Sequence, residues 1–273
     1  MIWQNFQTSD TISASETARI VSGRKDAALS ETESFDIKGL DQYLLNQKLL
    51  EKSLSGADLS NFFKIKLAAG ELPHGTVGEC AYRNFSSKIR LFSEKLMPYL
   101  QDSRQESSDI DTQIGDFRII GRIEGIRSQR LIRFRYAVVT PKDRLSAWIH
   151  HLLLNMTQGM STILIGSDKI IEYPAVREPY IILENLLLRY WQGLRKPLHF
   201  FPKSSFEYAH ALINGKSLAE ASEKASFIWS GDGHRIGEKD DSYYRVCFRD
   251  ENLPDRFGEI AKEIFEPMLL SSK

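Results

Sequence analysis

Apolar and polar positions follow two different periods along this chain. Leu40, Tyr43, Leu44, Leu49 and Leu50 recur at helical spacing and predict an amphipathic helix over residues 40–54. A short helix is expected over 59–69. A long one follows over 77–99, ending near Pro98, with the turn-like stretch Gly70-Glu71-Leu72-Pro73-His74-Gly75 between the two. The period then changes. DFRIIGRIEGI (116–126) and QRLIRFRYAVV (129–139) alternate or run apolar on either side of a short polar turn, the pattern of a β-hairpin. A helix over 142–156 and strands over 161–165 and 169–173 come next, the strands separated by Gly166-Ser167-Asp168. A strongly apolar helix over 179–194 leads to an expected edge strand at 197–200. Helices over 205–212, 218–229, 242–248 and 254–270 close the chain, with the loop SGDGHRIGEKDD (230–241) among them. Residues 1–33 are rich in Ser, Thr, Ala and charge without a sustained apolar period. They read as an N-terminal arm or linker, partly disordered, ahead of a single domain over 34–273.

Composition narrows the function classes. Apolar residues make up 42% of the 273 and charged residues 26%, which is ordinary globular usage. Lys plus Arg and Asp plus Glu both number 36, giving zero formal charge. A free-standing, non-specific DNA binder carries a basic excess, because phosphate neutralisation supplies its affinity. Contact with nucleic acid here would need a local patch or an assembly. Cys80 and Cys247 are far apart in sequence and belong to no CxxC pair, which fits reduced thiols in a cytoplasmic protein. The longest apolar run, near residues 181–188, is broken by Glu184 and Asn185, so no membrane span is expected.

Three ordered segments carry a resemblance. They are SFDIKGLDQYLLNQKLLEK (34–52), FKIKLAAGELPHGTVGE (63–79) and DDSYYRVCFRDENLPDRFGEIAKEIFEPML (240–269), with Ala68-Ala69-Gly70-Glu71-Leu72-Pro73-His74-Gly75 the most specific piece. Together they resemble the C-terminal, nuclease-like domain of the exodeoxyribonuclease V gamma chain (RecC). The resemblance implies an α/β (α+β) fold with a restriction-endonuclease-like PD-(D/E)XK core, a mixed sheet flanked by helices, and extra helices beside it. It implies a place in a RecBCD-type helicase/nuclease that repairs double-strand breaks by homologous recombination. The partners so implied are RecB-like and RecD-like subunits and single-stranded or forked DNA.

Active nucleases of that group carry a helix reading GxxxHxxxE, a strand with an aspartate in GxIDR, and a strand with DYK. Carboxylates and histidine hold a divalent cation near the scissile phosphate, and the lysine orients the attacking water. In this sequence Glu79 stands in the histidine position and Arg83 in that of the following glutamate. Glu124 retains the strand acid, while Arg133 replaces the second acid and Arg135 the lysine. A guanidinium in place of a carboxylate repels a cation. These five residues therefore read as a vestigial site, with no catalytic residue, no metal and no cofactor expected. Strand alternation places Arg133 and Arg135 on one face, and a fork from either of them to Glu124 is the expected replacement for the metal.

Arg118, Arg122, Arg127 and Arg130 crowd the same hairpin and are candidates for DNA contact, or else a set of surface ion pairs. His150 and His151 point apart on one helix and suit polar or capping roles; His74 suits the turn it sits in. Two rival functions remain open on sequence. One is an active Mg-dependent deoxyribonuclease using Glu79 and Glu124. The other is a pure protein-docking scaffold, which the zero net charge favours.

Overall fold

The structure is a computed structural model that describes residues 39–100, 105–232, 234–248, 252–253 and 256–273. The proposed arm over 1–33 lies outside the described residues. The chain forms two compact units, Met1–Asp102 and Ser103–Lys273.

The first unit contains three described helices: α1 (Gly39–Leu54), α2 (Leu59–Ala68) and α3 (Gly75–Leu100). They follow the apolar period, with Leu45, Leu49 and Leu50 of α1 and Tyr82, Ile89 and Leu96 of α3 buried. Asp58 caps α2 by accepting a hydrogen bond from the Ser60 amide at 2.8 Å. The turn between α2 and α3 is the most specific piece of the resemblance, and it is tightly held. Lys66, almost fully buried, sits 2.5 Å from Glu71, while Leu72 and Pro73 are buried beneath it. Gly78, in the first turn of α3, backs onto Pro73 so closely that an added Cβ would lie 1.8 Å from the Pro73 carbonyl oxygen. Backbone cannot yield as a side chain would. Gly78→Ala is expected to destabilise this unit by about 1–3 kcal/mol or more, read as a lowered denaturation midpoint; an unchanged midpoint would contradict the packing.

The second unit is built on one five-stranded mixed sheet. Its strands are β1 (Glu106–Ile114), β2 (Phe117–Arg127), β3 (Arg130–Phe134), β4 (Ser161–Ile165) and β5 (Ile170–Tyr173), in sheet order 1-2-3-4-5. Neighbours run antiparallel except β3 and β4, which are parallel. A parallel pair needs a crossover, and α4 (Pro141–Asn155) supplies it. Thr140 and Asp143 form a capping box at its start, with Pro141 in the first helical position. Leu145, Trp148, Leu152 and Leu154 bury α4 on more than one face, making it the central helix of the unit.

Helices α5 (Pro179–Arg195), α6 (Pro202–Ile213), α7 (Leu218–Ser230), α8 (Ser242–Phe248) and α9 (Phe257–Ser271) complete the unit. A two-stranded ribbon, β6 (Gly231–Asp232) with β7 (Arg235–Ile236), and a 3-10 turn over Glu238–Asp240 lie between α7 and α8. Helix α6 packs between α7 and α9, around a core of Phe201, Trp229, Phe248 and Phe257. At the far edge of the sheet, the backbone of Lys273 exchanges two hydrogen bonds with Glu172 of β5, at 2.9 and 3.2 Å. Arg144 secures this corner from inside, donating to Tyr173 and Ser272 and lying 5.0 Å over the Phe206 ring.

Two expectations need correction. Residues 197–200 are not a strand; the chain passes directly from α5 to α6 there. The segment 129–139 is strand only over Arg130–Phe134, because Asp168 and the loop around Gly166 take up the later backbone groups instead. The expected hairpin is present as β2–β3, with a ladder of two residue pairs, and β1–β2 forms a second, longer one.

Candidate vestigial nuclease site

Glu79 and Arg83 lie on α3 in the first unit; Glu124, Arg133 and Arg135 lie on and just after the strands of the second. On α3 the two residues are one turn apart on the same exposed face.

In the second unit, β2 and β3 meet through Ser128 and Gln129. Both have positive φ, 45° and 58°, the backbone that a right-twisted two-residue hairpin requires. The pairing ends at Ile126 and Leu131. Immediately before it, Gly125 has φ +86°, its ideal Cβ position is 3.0 Å from the Ile132 carbonyl oxygen, and the β1–β2 register shifts. The resulting bulge breaks the period of two: Ile123 and Ile126, three apart, are both buried. Alternation therefore cannot be carried through Gly125 from β2 into β3.

Glu124 has its ion pair with Arg122 of its own strand, at 3.8 Å. Arg135 is held by Asp143, its Nη1 2.8 Å from Oδ1. The same carboxylate caps α4, accepting from the Thr140 amide and hydroxyl through Oδ2. Beside the fork expected from Arg133 or Arg135 to Glu124, Arg135 thus has a carboxylate of its own in Asp143, which the cap of α4 orients. Arg133 is half-buried on β3, and its positive charge reaches His150 of α4.

The two histidines are core residues. Burial, reinforced by the Arg133 charge, lowers His150 to about 4, although a hydrogen bond to the Ser146 carbonyl opposes the shift. His151 is fully buried, stacked beside Trp148 and hydrogen-bonded to Thr162 at 2.9 Å; burial lowers it to about 4 as well. Both stay neutral in the folded chain at a pH where the unfolded chain, near 6.5, already binds protons. The stability they contribute is complete above pH 6.5 and is lost as pH falls toward 4. Each costs up to about 1.4 kcal/mol per pH step inside that window. Urea melts at pH 7 and pH 5 are expected to show the loss, and His151→Gln to flatten it; equal midpoints at both pH values would contradict this account.

Of the hairpin arginines, Arg118 and Arg122 form surface ion pairs. Arg118 makes a two-pronged contact with Asp111 at 2.8 and 2.9 Å. Asp111 is held below its usual carboxylate range by that hydrogen bond, and Arg118 is raised by it. Arg122 lies 3.9 Å from Asp109, its direct cross-strand neighbour, as well as near Glu124. Arg127 reaches Gln105 at 3.3 Å, and Arg130 is exposed beside the turn. Sequence reasoning missed Asp109, Asp111 and Asp143. The first two sit in a strand that polar residues concealed. The third was legible in the Thr-Pro-Lys-Asp start of α4.

Among the described residues, no three histidine, cysteine or acidic side chains gather closely enough to hold a metal ion. No described helix is long and apolar enough to cross a membrane. What fold and side chains define is an α/β domain with a mixed sheet, flanking helices and arginines spread among its strand carboxylates. The chain belongs to the RecC C-terminal domain family, whose model matches residues 14–213. The match begins inside the stretch read as an arm. Over 266 residues the chain is 23% identical to the RecBCD enzyme subunit RecC of Buchnera aphidicola, covering 90% of this chain and 24% of that protein. It is 23% identical to the Escherichia coli protein of the same name over 238 residues, 82% of this chain and 21% of that one. The Mycobacterium tuberculosis counterpart is 24% identical over 214 residues, 75% and 19%. The chain thus spans less than a quarter of the length of these curated relatives.

Proposed function

We propose that this chain is a non-catalytic, nuclease-like module of a RecBCD-type DNA-processing assembly in double-strand break repair. It guides DNA strands and docks RecB-like and RecD-like subunits. One observation carries the reading. Arg133 and Arg135 stand where the resemblance implies the second acid and the lysine of a PD-(D/E)XK nuclease, and the structure pairs Arg135 with Asp143, the cap of α4. Glu124 itself lies 3.8 Å from Arg122, a cation of its own strand. The mixed sheet flanked by helices fits a PD-(D/E)XK core, and family membership together with the relatives' names supports the assembly.

Arg127 and Arg130 face each other across the Ser128–Gln129 turn at the tip of the β2–β3 hairpin, and that paired placement makes them the proposed strand contacts, while Arg118 is paired with Asp111 on the β1 side. The test is reconstitution with the RecB-like and RecD-like subunits of the same genome. The chain is expected to co-elute with at least one of them. Arg127→Ala with Arg130→Ala is expected to weaken binding of the assembly to forked DNA and to lower its salt dependence, while Arg118→Ala changes neither. Separate elution of all three chains would contradict docking, and equal effects of all the arginines would contradict the assignment to the turn.

A further inference from the structure

Helix α5 is apolar enough to be a core helix, yet it buries only Pro179, Leu183 and Leu186. Its other side presents Ile181, Glu184, Leu188, Trp191 and Arg195 at a 3-4-3-4 spacing, which places all five on one stripe. Ile181, Leu188 and Trp191 are 54%, 48% and 49% exposed. The stripe is pre-organised by the β1–β2 turn: the Tyr180 hydroxyl accepts from the Gly115 amide at 2.9 Å, and Phe117 meets Trp191 edge-on at 6.2 Å between ring centroids. An aromatic side chain already fixed in place loses little entropy on binding.

The charges say what fits. Glu184 stands at the N-terminal end of the stripe beside Gly115, and Asp116 follows in the same turn. Arg195 stands three turns away, with Lys196 next to it. Acid at one end and base at the other make the stripe complementary to itself run backwards. The geometry points to a second copy of this chain as its occupant, with the two α5 helices antiparallel about a two-fold axis. In a single register, Leu188 faces Trp191 of the second copy while Glu184 faces Arg195 of the second copy. Apolar residues fill the centre and an ion pair closes each end, the arrangement of an isologous interface. This pairing is independent of the proposed nucleic-acid role.

Sedimentation of the full chain from about 1 to 100 μM, the range of modest protein–protein affinities, tests it. The wild-type chain is expected to shift from monomer to dimer. Glu184→Arg and Arg195→Glu are each expected to weaken the dimer by about tenfold or more, and the double reversal to restore it, because the pair then exists with exchanged signs. Leu188→Asp, at a position 48% exposed, is expected to leave circular dichroism unchanged and abolish the dimer. A wild-type chain that stays monomeric overturns the pairing. So does a dimer indifferent to these changes, or a double reversal that fails to restore association.

Discussion

Phe201→Ala is expected to lower the unfolding free energy of the second unit by about 3–5 kcal/mol, the range for removing a buried aromatic ring. Phe201 is fully buried, and its ring touches three others: Trp229 at 4.2 Å, Tyr244 at 5.3 Å and Phe248 at 5.2 Å between centroids. Phe201 is the N-cap residue of α6, Trp229 lies on α7, and Tyr244 and Phe248 lie on α8, so one side chain packs against two further helices. Removing it opens a cavity whose walls are rigid ring faces and cannot collapse readily. Phe201→Leu, which refills part of the space, is expected to recover part of the loss. Chemical denaturation of the three proteins measures the effect. A loss below about 1 kcal/mol for the alanine variant, the level of a surface change, would mean that the aromatic cluster does not hold these helices.

Glu238→Ala is expected to cost about 2–4 kcal/mol, as a buried charge-assisted cap is removed. The Glu238 carboxylate, 8% exposed, accepts three hydrogen bonds at the start of α6: from the Lys203 amide at 3.0 Å and from the Ser204 amide and hydroxyl at 2.8 Å each. The carboxylate also sits at the positive end of the helix dipole. Ser204 is fully buried, so water cannot replace the lost acceptor. Burial of the Tyr244 phenol, and after it the Glu238 and Asp241 charges, push that group well above its usual range. Glu238→Gln keeps one acceptor oxygen and is expected to lose roughly half as much. Thermal melts of both variants decide the matter: equal, small losses would show that the cap is dispensable.

Both results bear on how far the sequence could be read. Helices with a clean apolar period were legible, and so were β4 and β5, since short, buried, Ile-rich runs announce themselves. β1 was not. Only Ile110 and Ile114 are buried in it, spaced four apart, and the remaining positions are polar because the strand forms a solvent-facing edge. The candidate site divides in the same way. The arginines that the resemblance sets in the acid and lysine positions can be read from the sequence, whereas the carboxylate that meets Arg135 cannot. One bulged glycine, Gly125, shifts the register of β2, and one capping carboxylate, Asp143, competes for Arg135. The Glu238 cap joins residues more than thirty positions apart, beyond the reach of any local pattern. The Gly-rich, acidic composition of 230–241 hides a two-stranded ribbon and the 3-10 turn that delivers this carboxylate.

The central claim is that the strand positions of a nuclease site survive here without their chemistry. A cleavage assay on single-stranded and forked DNA, with Mg²⁺ or Mn²⁺ and a Glu124→Ala control, tests it most directly. No cleavage above the control with either metal is the result this account predicts. Metal-dependent cleavage by the wild-type chain that disappears in Glu124→Ala would contradict it, and would make Glu124 a metal ligand in a working active site.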